Sequence, residues 1–328
     1  MLRLPLVLLV VVTVLAVGGC NVGVQPQSQG SPKPQQPHPD LYQDNIEQAV
    51  AYLESQYDRD IQLLAEAKGP GGGEIGREIC PDKNAWLEPP PWEECKSWKM
   101  DQVYWLGDNA LAWMALQLYN PQVAGNIQSK LEQTGCSEYA SSDLPDILSG
   151  QRIEASPPRI QKRVYIDHSE GEYLIIGGER VDDYLRPINH YSDVMLQYSI
   201  QSWRSGNKRL ARQYLRQVLS KWDGIGIWDR PAKARSNDQY QDLVKNEAAV
   251  YKLALLLITV QVLDYPFSAF HDVEAQIWDH QDPDTGGIRT GIKPDGSIAG
   301  GCNTETTSLA LLIYDEERID MLRQPFSD

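Results

Sequence analysis

Apolar residues recur with the helical period of 3.6 along most of the chain, in two kinds of segment. Segments that are apolar on nearly every face predict buried helices, and segments with a single apolar face predict outer helices. The two kinds alternate as 107–119 then 121–134, 189–205 then 207–222, and 246–263 then 268–280. This alternation predicts antiparallel helical hairpins, with an inner and an outer helix in each, arranged around a common axis.

Further elements precede, interrupt and follow these hairpins. A one-sided apolar stripe predicts a helix over 42–57, and the apolar run from Ser308 to Ile313 predicts the last helix. Alternating apolar and polar residues at Gln161–Ile166 and Tyr173–Ile176 predict a β-hairpin. The fold class expected is therefore mainly α with a small β-hairpin.

The N-terminus has the pattern of a lipoprotein signal peptide. Arg3 is followed by an apolar run of about 14 residues, short of the ~20 that a membrane span needs. The run ends in Val17-Gly18-Gly19-Cys20, a lipoprotein cleavage box. We therefore expect a signal peptide over 1–19 and a lipid on Cys20. An uncleaved signal anchor is the alternative.

The composition after Cys20 divides the rest of the chain into two parts. Residues 20–40 are rich in Gln, Pro, Ser and Gly and show no apolar period, which predicts a disordered tether. Residues 41–328 are long enough for one large domain with its own core. The protein is thus expected to be extracytoplasmic and lipid-anchored to the cell membrane.

The charge balance limits the partners. Asp and Glu number 45 against 30 Lys and Arg, a net charge of −15. We expect no binding to nucleic acid, because binding to phosphates requires a basic protein surface. A polybasic contact with anionic lipid is excluded on the same ground, so the lipid on Cys20 would be the membrane contact.

The four remaining cysteines are even in number, and disulfides are expected in an exported protein. Three pairings of Cys80, Cys95, Cys136 and Cys302 exist. We favour Cys80–Cys95, which would close a Gly/Pro-rich loop and contribute roughly 3 kcal/mol. The pairing of Cys136 and Cys302 stays open.

No metal or cofactor is expected from the sequence. There is no CxxC motif or Cys/His cluster, and the histidines show no ligand spacing. The segment Asp282–Gly287 resembles a calcium loop, but Lys293 stands where a Glu ligand would be needed, so a turn is predicted. Gly71–Gly76 fits GxGxxG by letter, yet Cys80-Pro81 follows where a dinucleotide-binding helix should begin.

Several motifs carry a resemblance to a known architecture. They are Trp105-Leu106-Gly107-Asp108-Asn109, Lys221-Trp222-Asp223-Gly224, Ile277-Trp278, Thr285-Gly286-Gly287 and Asn303-Thr304-Glu305-Thr306-Thr307. Together they resemble the α/α toroid of six-hairpin glycosidases, sugar epimerases and terpene-cyclase-like proteins. The closest resemblance is to a group of exported toroid lipoproteins. About eight helices are predicted where a full toroid has twelve, so a partial ring is the alternative.

The resemblance implies that the inner helices present their N-termini to one funnel. In this chain Asp108, Asp193, Glu247 and Glu305 would lie there. Asp193 and Glu305 are the candidates for acid and base on a glycosidic bond, with Asp108 and Glu247 orienting substrate. The alternative is that these acids only cap helix N-termini.

Aromatic residues provide a second indication of a carbohydrate ligand. Tyr (16) and Trp (9) far outnumber Phe (3), so most aromatic faces carry a polar handle. Tyr191 and Trp105 are the candidate sugar contacts. Packing of these rings at the rim of the core is the alternative.

The sequence therefore predicts a surface-tethered carbohydrate-active protein, a glycosidase or a sugar epimerase, acting on a glycan. A non-catalytic lipoprotein that binds glycan or peptide in the same funnel is the first alternative. A scaffold for envelope complexes is the second. Whether the protein is catalytic stays open at this stage.

Overall fold

Helices dominate the computed structural model, which describes residues 35–67, 74–75, 98–99, 103–134, 144–152, 165–167, 174–177, 191–229 and 248–326. The helices are α1 (Gln43–Gln56), α2 (Leu106–Tyr119), α3 (Pro121–Gln133), α4 (Leu144–Leu148), α5 (Ser192–Arg204), α6 (Lys208–Leu219), α7 (Tyr251–Val262), α8 (Phe270–Asp279), α9 (Thr304–Leu312) and α10 (Glu316–Arg323). A 3₁₀ helix, Pro39–Tyr42, precedes α1. The predicted mainly α fold is confirmed.

The inner helices contact one another in a closed circuit that follows the order of the chain. Helix α9 packs against α2 and α7, α7 packs against α5, and the short α4 contacts both α5 and α2. Outer helices cover them, α3 on α2, α6 on α5, α8 on α7 and α1 on α9. The predicted alternation of inner and outer helices is therefore present in the described part of the chain.

The burial of each helix follows its pattern of apolar residues. Helix α7 is apolar all round, and every residue from Leu253 to Val262 is buried. Helix α6 buries only Ala211, Leu215 and Val218, one turn apart, and turns its arginines outward. Hydrophobic burial on all faces thus fixes α7 at the centre of the core.

Asparagine side chains cap three of the helices. Asn120 Oδ1 accepts from the Val123 amide at 3.2 Å, beside Pro121 at the first helical position. Asn207 Oδ1 accepts from the Leu210 amide at 3.2 Å. Asn303 does the same for α9, accepting from the Thr306 amide at 2.9 Å. Each cap satisfies one of the free N–H groups of a first turn and fixes where the helix begins.

Short strands occur beside the first turns of the inner helices. The strands are β1 (Tyr57–Asp58), β2 (Leu63–Leu64), β3 (Glu74–Ile75), β4 (Trp98–Lys99), β5 (Val103–Trp105), β6 (Tyr165–Asp167), β7 (Leu174–Gly177), β8 (Ala248–Ala249), β9 (Arg289–Ile292) and β10 (Ile298–Cys302). Strand β5 runs directly into α2, β8 comes just before α7, and β10 comes just before α9. The strands therefore help to hold the N-terminal ends of these helices.

The predicted β-hairpin is present and belongs to a larger sheet. Strands β6 and β7 pair antiparallel, with Ile166 opposite Ile176. Strand β7 also pairs in parallel with β5, with Val103 opposite Leu174. The remaining paired strands are β1 with β2, β3 with β4, and β8–β9–β10.

One predicted helix begins later than its apolar pattern indicates. Ala248 and Ala249 pair as a strand with Ile292 and Gly291, and α7 begins only at Tyr251. Pairing with β9 satisfies backbone groups that a helix would otherwise satisfy, which overrides the helical propensity of two alanines.

The segment Asp282–Gly287 is a turn, as predicted. Asp282 Oδ1 accepts from the Asp284 and Thr285 amides at 3.1 and 2.9 Å. Gly286 has φ of +80°, which a residue with a Cβ rarely adopts.

Across the described ranges, no helix has both the length and the hydrophobicity for a membrane span.

Candidate functional site

The first turns of the inner helices carry the candidate acids. Asp108 is the third residue of α2, and Asp193 and Glu305 are the second residues of α5 and α9. Tyr251 and Lys252 open α7. A first helical turn has free N–H groups and a positive dipole end, which favours a carboxylate.

Two of the predicted acids, Asp108 and Asp193, each interact electrostatically with a third, Glu305. The charges of Glu66 and Asp193 both raise the pKa of Glu305, and those of Glu66 and Glu305 raise the pKa of Asp108. We call Glu66, Asp108, Asp193 and Glu305 the acidic cluster. Asp108 and Asp193 thus both lie within electrostatic reach of Glu305, while the convergence of all the predicted acids on one funnel and their catalytic roles stay predictions.

A carboxyl pair forms at one side of the cluster. Asp108 hydrogen-bonds to the Glu66 carboxyl group, and burial, followed by the charges of Glu66 and Glu305, holds the pKa of Asp108 well above its usual range. Two carboxyl groups can hydrogen-bond only when one carries a proton. The hydrogen bond between Asp108 and Glu66 therefore requires one proton on this carboxyl pair.

Glu66 is held by residues at the start of α9. Its Oε1 accepts from the Asn303 side-chain amide at 3.2 Å, and its carbonyl oxygen accepts from the Thr304 amide at 3.2 Å. The Thr304 hydroxyl donates to the Ala65 carbonyl at 2.8 Å. Glu66 is not among the residues predicted from the sequence, since no motif or helical pattern marks it and its partners lie far along the chain.

Glu305 has a pKa suited to proton transfer near neutral pH. Burial is the largest cause and the charges of Glu66 and Asp193 add to it, raising the pKa from 4.5 to about 7, against a smaller opposing effect of Lys252. The residue as a whole is intermediate in burial. Glu305 thus combines a desolvated carboxyl group with a position that is not wholly enclosed.

Asp193 pairs with the first residue of α7. The Tyr251 hydroxyl hydrogen-bonds to Asp193, and burial, then the charges of Asp193 and Glu305, raise the pKa of Tyr251 well above its usual range. Tyr251 therefore stays a hydroxyl donor. Within the described chain Asp193 Oδ1 is buried and has no hydrogen-bond partner, so it can accept from a ligand or a water.

A second charged group adjoins the cluster and was not predicted. The carboxylate of Asp229 accepts from Lys252, from Lys221 at 3.0 Å and from the Ser192 amide at 3.0 Å. Burial alone would raise the pKa of Asp229, but the two lysines and Ser192 outweigh it and lower that pKa. Ser192 opens α5, so Asp229 also acts as a cap for the helix that carries Asp193.

The other predicted site residues have different outcomes. Trp105 and Tyr191 are half-buried and directly precede α2 and α5, where their carbonyl oxygens accept from the Asn109 side chain at 2.9 Å and the Met195 amide at 3.1 Å. Glu247 lies outside the described residues. Since α7 begins at Tyr251, the first turn of that helix presents Tyr251 and Lys252 in place of an acid.

The predicted lipidation and disulfide residues, Cys20, Cys80 and Cys95, also lie outside the described residues. Cys302 is a free thiol whose Sγ donates to the Gly287 carbonyl oxygen at 3.3 Å. Among the described residues, a group of three possible metal ligands with converging atoms occurs at His38, His271 and Glu274, away from the acidic cluster.

A cavity of about 270 Å³ lies at the opposite ends of the inner helices. Four of its lining residues, Trp203, Val262, Asp264 and Arg323, lie at or just beyond the C-termini of α5, α7 and α10, and the fifth, Gln36, precedes the 3₁₀ helix. None of its lining residues belongs to the acidic cluster, so the convergent chemistry and this cavity are separate features.

The chain was compared with known protein families and with curated proteins. No family model matches it. No curated protein has significant similarity to it either. The geometry of the acidic cluster is therefore the basis for a functional conclusion.

Proposed function

We propose that the acidic cluster is the active site of a carbohydrate-active enzyme. In this enzyme a pair of protein carboxyl groups would act as acid and base to cleave or epimerise a sugar. One observation carries the proposal: Glu305, with a pKa of about 7, lies within electrostatic reach of Asp193 at the first turns of two inner helices. The enzyme would be exported and held at the membrane by a lipid on Cys20.

Glu305 is the proposed general acid. With a pKa of about 7, the Glu305 carboxyl group is protonated in roughly half of the protein molecules at neutral pH. Glycosidic oxygens leave only when protonated, and a glutamic acid kept neutral by burial is suited to supply that proton.

Asp193 is the proposed base. The Tyr251 hydroxyl orients its carboxylate, and its buried Oδ1 is left with acceptor capacity. That oxygen would accept a proton from an attacking water or from a sugar hydroxyl.

The neighbouring groups would position the substrate and influence the charge state of Glu305. The Asp108–Glu66 pair would present its remaining carboxyl oxygens as acceptors to sugar hydroxyls. Lys252 lies near Glu305 but shares its charge with Asp229, which limits how far it can lower the pKa of Glu305. Trp105 and Tyr191 would provide aromatic faces for the C–H faces of a sugar ring.

The proposal is tested by a hydrolysis and epimerisation screen on oligosaccharides with the full-length chain. Glu305→Gln and Asp193→Asn remove the acid and the base while keeping the shape, and each is expected to lower kcat by about 10²- to 10⁴-fold. Glu316→Gln, at an exposed position of α10, is the matched control and should keep full activity. Turnover that survives both Glu305→Gln and Asp193→Asn refutes the assignment.

A non-catalytic glycan- or peptide-binding lipoprotein is the second candidate. It is favoured by one buried acceptor oxygen in the cluster, Asp193 Oδ1, which could receive a hydroxyl or ammonium group of a bound ligand. Saturable binding of an oligosaccharide or peptide without product, in the same screen, would decide for it.

A further inference from the structure

Two histidines and a buried glutamate meet at the outer face of α8. His271 Nδ1 lies 3.0 Å from Glu274 Oε2, and His38 Nδ1 lies 4.0 Å from the same oxygen. One nitrogen of each imidazole and one carboxylate oxygen all lie within 4.8 Å of one another. Glu274 has no exposed side-chain surface, whereas His38 is 54% exposed and His271 38% exposed.

The glutamate is oriented from behind by a chain of donors. Tyr314 donates its hydroxyl hydrogen to Glu274 Oε1 at 3.0 Å, and the His38 amide donates to the same oxygen at 2.8 Å. The Trp278 ring N–H donates to the Tyr314 hydroxyl at 2.8 Å. Oε1 is therefore occupied, while Oε2 faces the two imidazoles. Outer-shell donors of this kind hold the ligands of metal sites in place.

We propose that His38, His271 and Glu274 bind one divalent transition-metal ion of the zinc class. Two imidazole nitrogens with one carboxylate oxygen favour zinc and its neighbours over calcium or magnesium, which take oxygen ligands. Three protein ligands leave a coordination position open to water. The exposure of both imidazoles gives the ion a path from solvent.

Binding requires a change at His38. The two imidazole rings are stacked, with centroids 3.9 Å apart and planes 6° apart. A metal in the plane of one stacked ring lies outside the plane of the other, so one ring must rotate. His38 is the more exposed of the two and precedes the 3₁₀ helix Pro39–Tyr42, so its side chain can rotate without repacking the core.

The ion would join two distant parts of the sequence. His38 and Glu274 are separated by 236 residues. A shared metal would fasten the segment that precedes α1 to helix α8, and its binding energy would add to the stability of the fold. This role does not depend on the function proposed for the acidic cluster.

The test is titration of the metal-free, full-length chain in detergent with zinc chloride by calorimetry, and with cobalt chloride by visible absorption. We expect one saturable zinc site and cobalt d–d bands of four- or five-coordinate intensity. His38→Ala and His271→Ala should each weaken zinc binding at least about tenfold. Glu274→Gln should do the same. His168→Ala, which changes a histidine that is not one of the three proposed ligands, is the control and should keep the affinity within about twofold.

Thermal unfolding without metal checks that the variants fold. His38→Ala should melt as the wild type does without zinc, because the side chain is mostly exposed, and should lose the rise in Tm that zinc gives the wild type. Absence of a saturable zinc site refutes the proposal. So does zinc affinity that His38→Ala and His271→Ala leave unchanged, or that His168→Ala reduces equally.

Discussion

Replacing Glu305 by Gln should stabilise the protein, by an amount that grows with pH. Glu305 is a carboxyl group whose pKa is raised from 4.5 to about 7 in the fold. The folded state therefore binds the proton more tightly than the unfolded state. Between pH 4.5 and 7 the unfolded chain has lost the proton that the folded chain keeps, so the free energy of unfolding falls as the pH rises.

The size of the effect follows from the two pKa values. Integrating the difference in bound protons gives a penalty from Glu305 of about 1 kcal/mol at pH 5 and about 3 kcal/mol at pH 8. A neutral Gln of the same shape pays neither. The Glu305 charge also raises the pKa of Asp108, so its removal makes ionisation of Asp108 less costly. This second effect also stabilises the folded variant. The variant should thus gain about 2 kcal/mol over the wild type between pH 5 and pH 8.

The assay is urea unfolding of both proteins at pH 5 and pH 8, followed by tryptophan fluorescence. Glu316→Gln is the control and should stay within about 0.5 kcal/mol of the wild type at both pH values, since Glu316 is exposed. A stability difference between Glu305→Gln and wild type that does not change with pH would refute the reasoning. A loss of stability in Glu305→Gln at pH 8 would refute it as well.

Two further predictions concern the surroundings of the site. Asp229→Asn leaves Lys221 and Lys252 without their shared carboxylate, so about 2–4 kcal/mol of stability should be lost at pH 7. Because the pKa of Asp229 is lowered in the fold, this contribution is present above its usual range and lost as the pH falls through the lowered pKa, so urea unfolding near pH 3 should show a smaller difference. Gly286→Ala should cost about 2 kcal/mol or more, because φ is +80° and the new Cβ would clash with the Gln48 carbonyl group. Gly125→Ala is its control in the same unfolding assay and should gain up to about 1 kcal/mol, since the site in α3 has open space.

The inner helices could be predicted from sequence because their signal is local. The order of apolar residues within a dozen positions is enough to predict that α7 is buried on all faces and α6 on one face. The placement of Asp108, Asp193 and Glu305 follows from the same signal, since each lies in the first turn of α2, α5 or α9 and is positioned by that helix.

The partners of these acids could not be predicted, because they depend on contacts between distant parts of the chain. Glu66 and Asn303 are 237 residues apart, and Asp229 and Ser192 are 37 apart. No periodicity connects such pairs. The error at α7 has the same cause: only the pairing of Ala248 and Ala249 with β9 delays the helix to Tyr251.

The arrangement of inner helices explains why the pKa values of Asp108 and Glu305 are raised. A single carboxylate at a helix N-terminus is stabilised by the dipole, typically by less than about 1 kcal/mol. When several hairpins bring such ends together, burial and mutual repulsion oppose ionisation more strongly, as the raised pKa values of Asp108 and Glu305 indicate. Lys252 offsets little of this, because Asp229 already shares its charge. Burial and the neighbouring acids thus shift the ionisation of Glu305, whose pKa is about 7, into the physiological range.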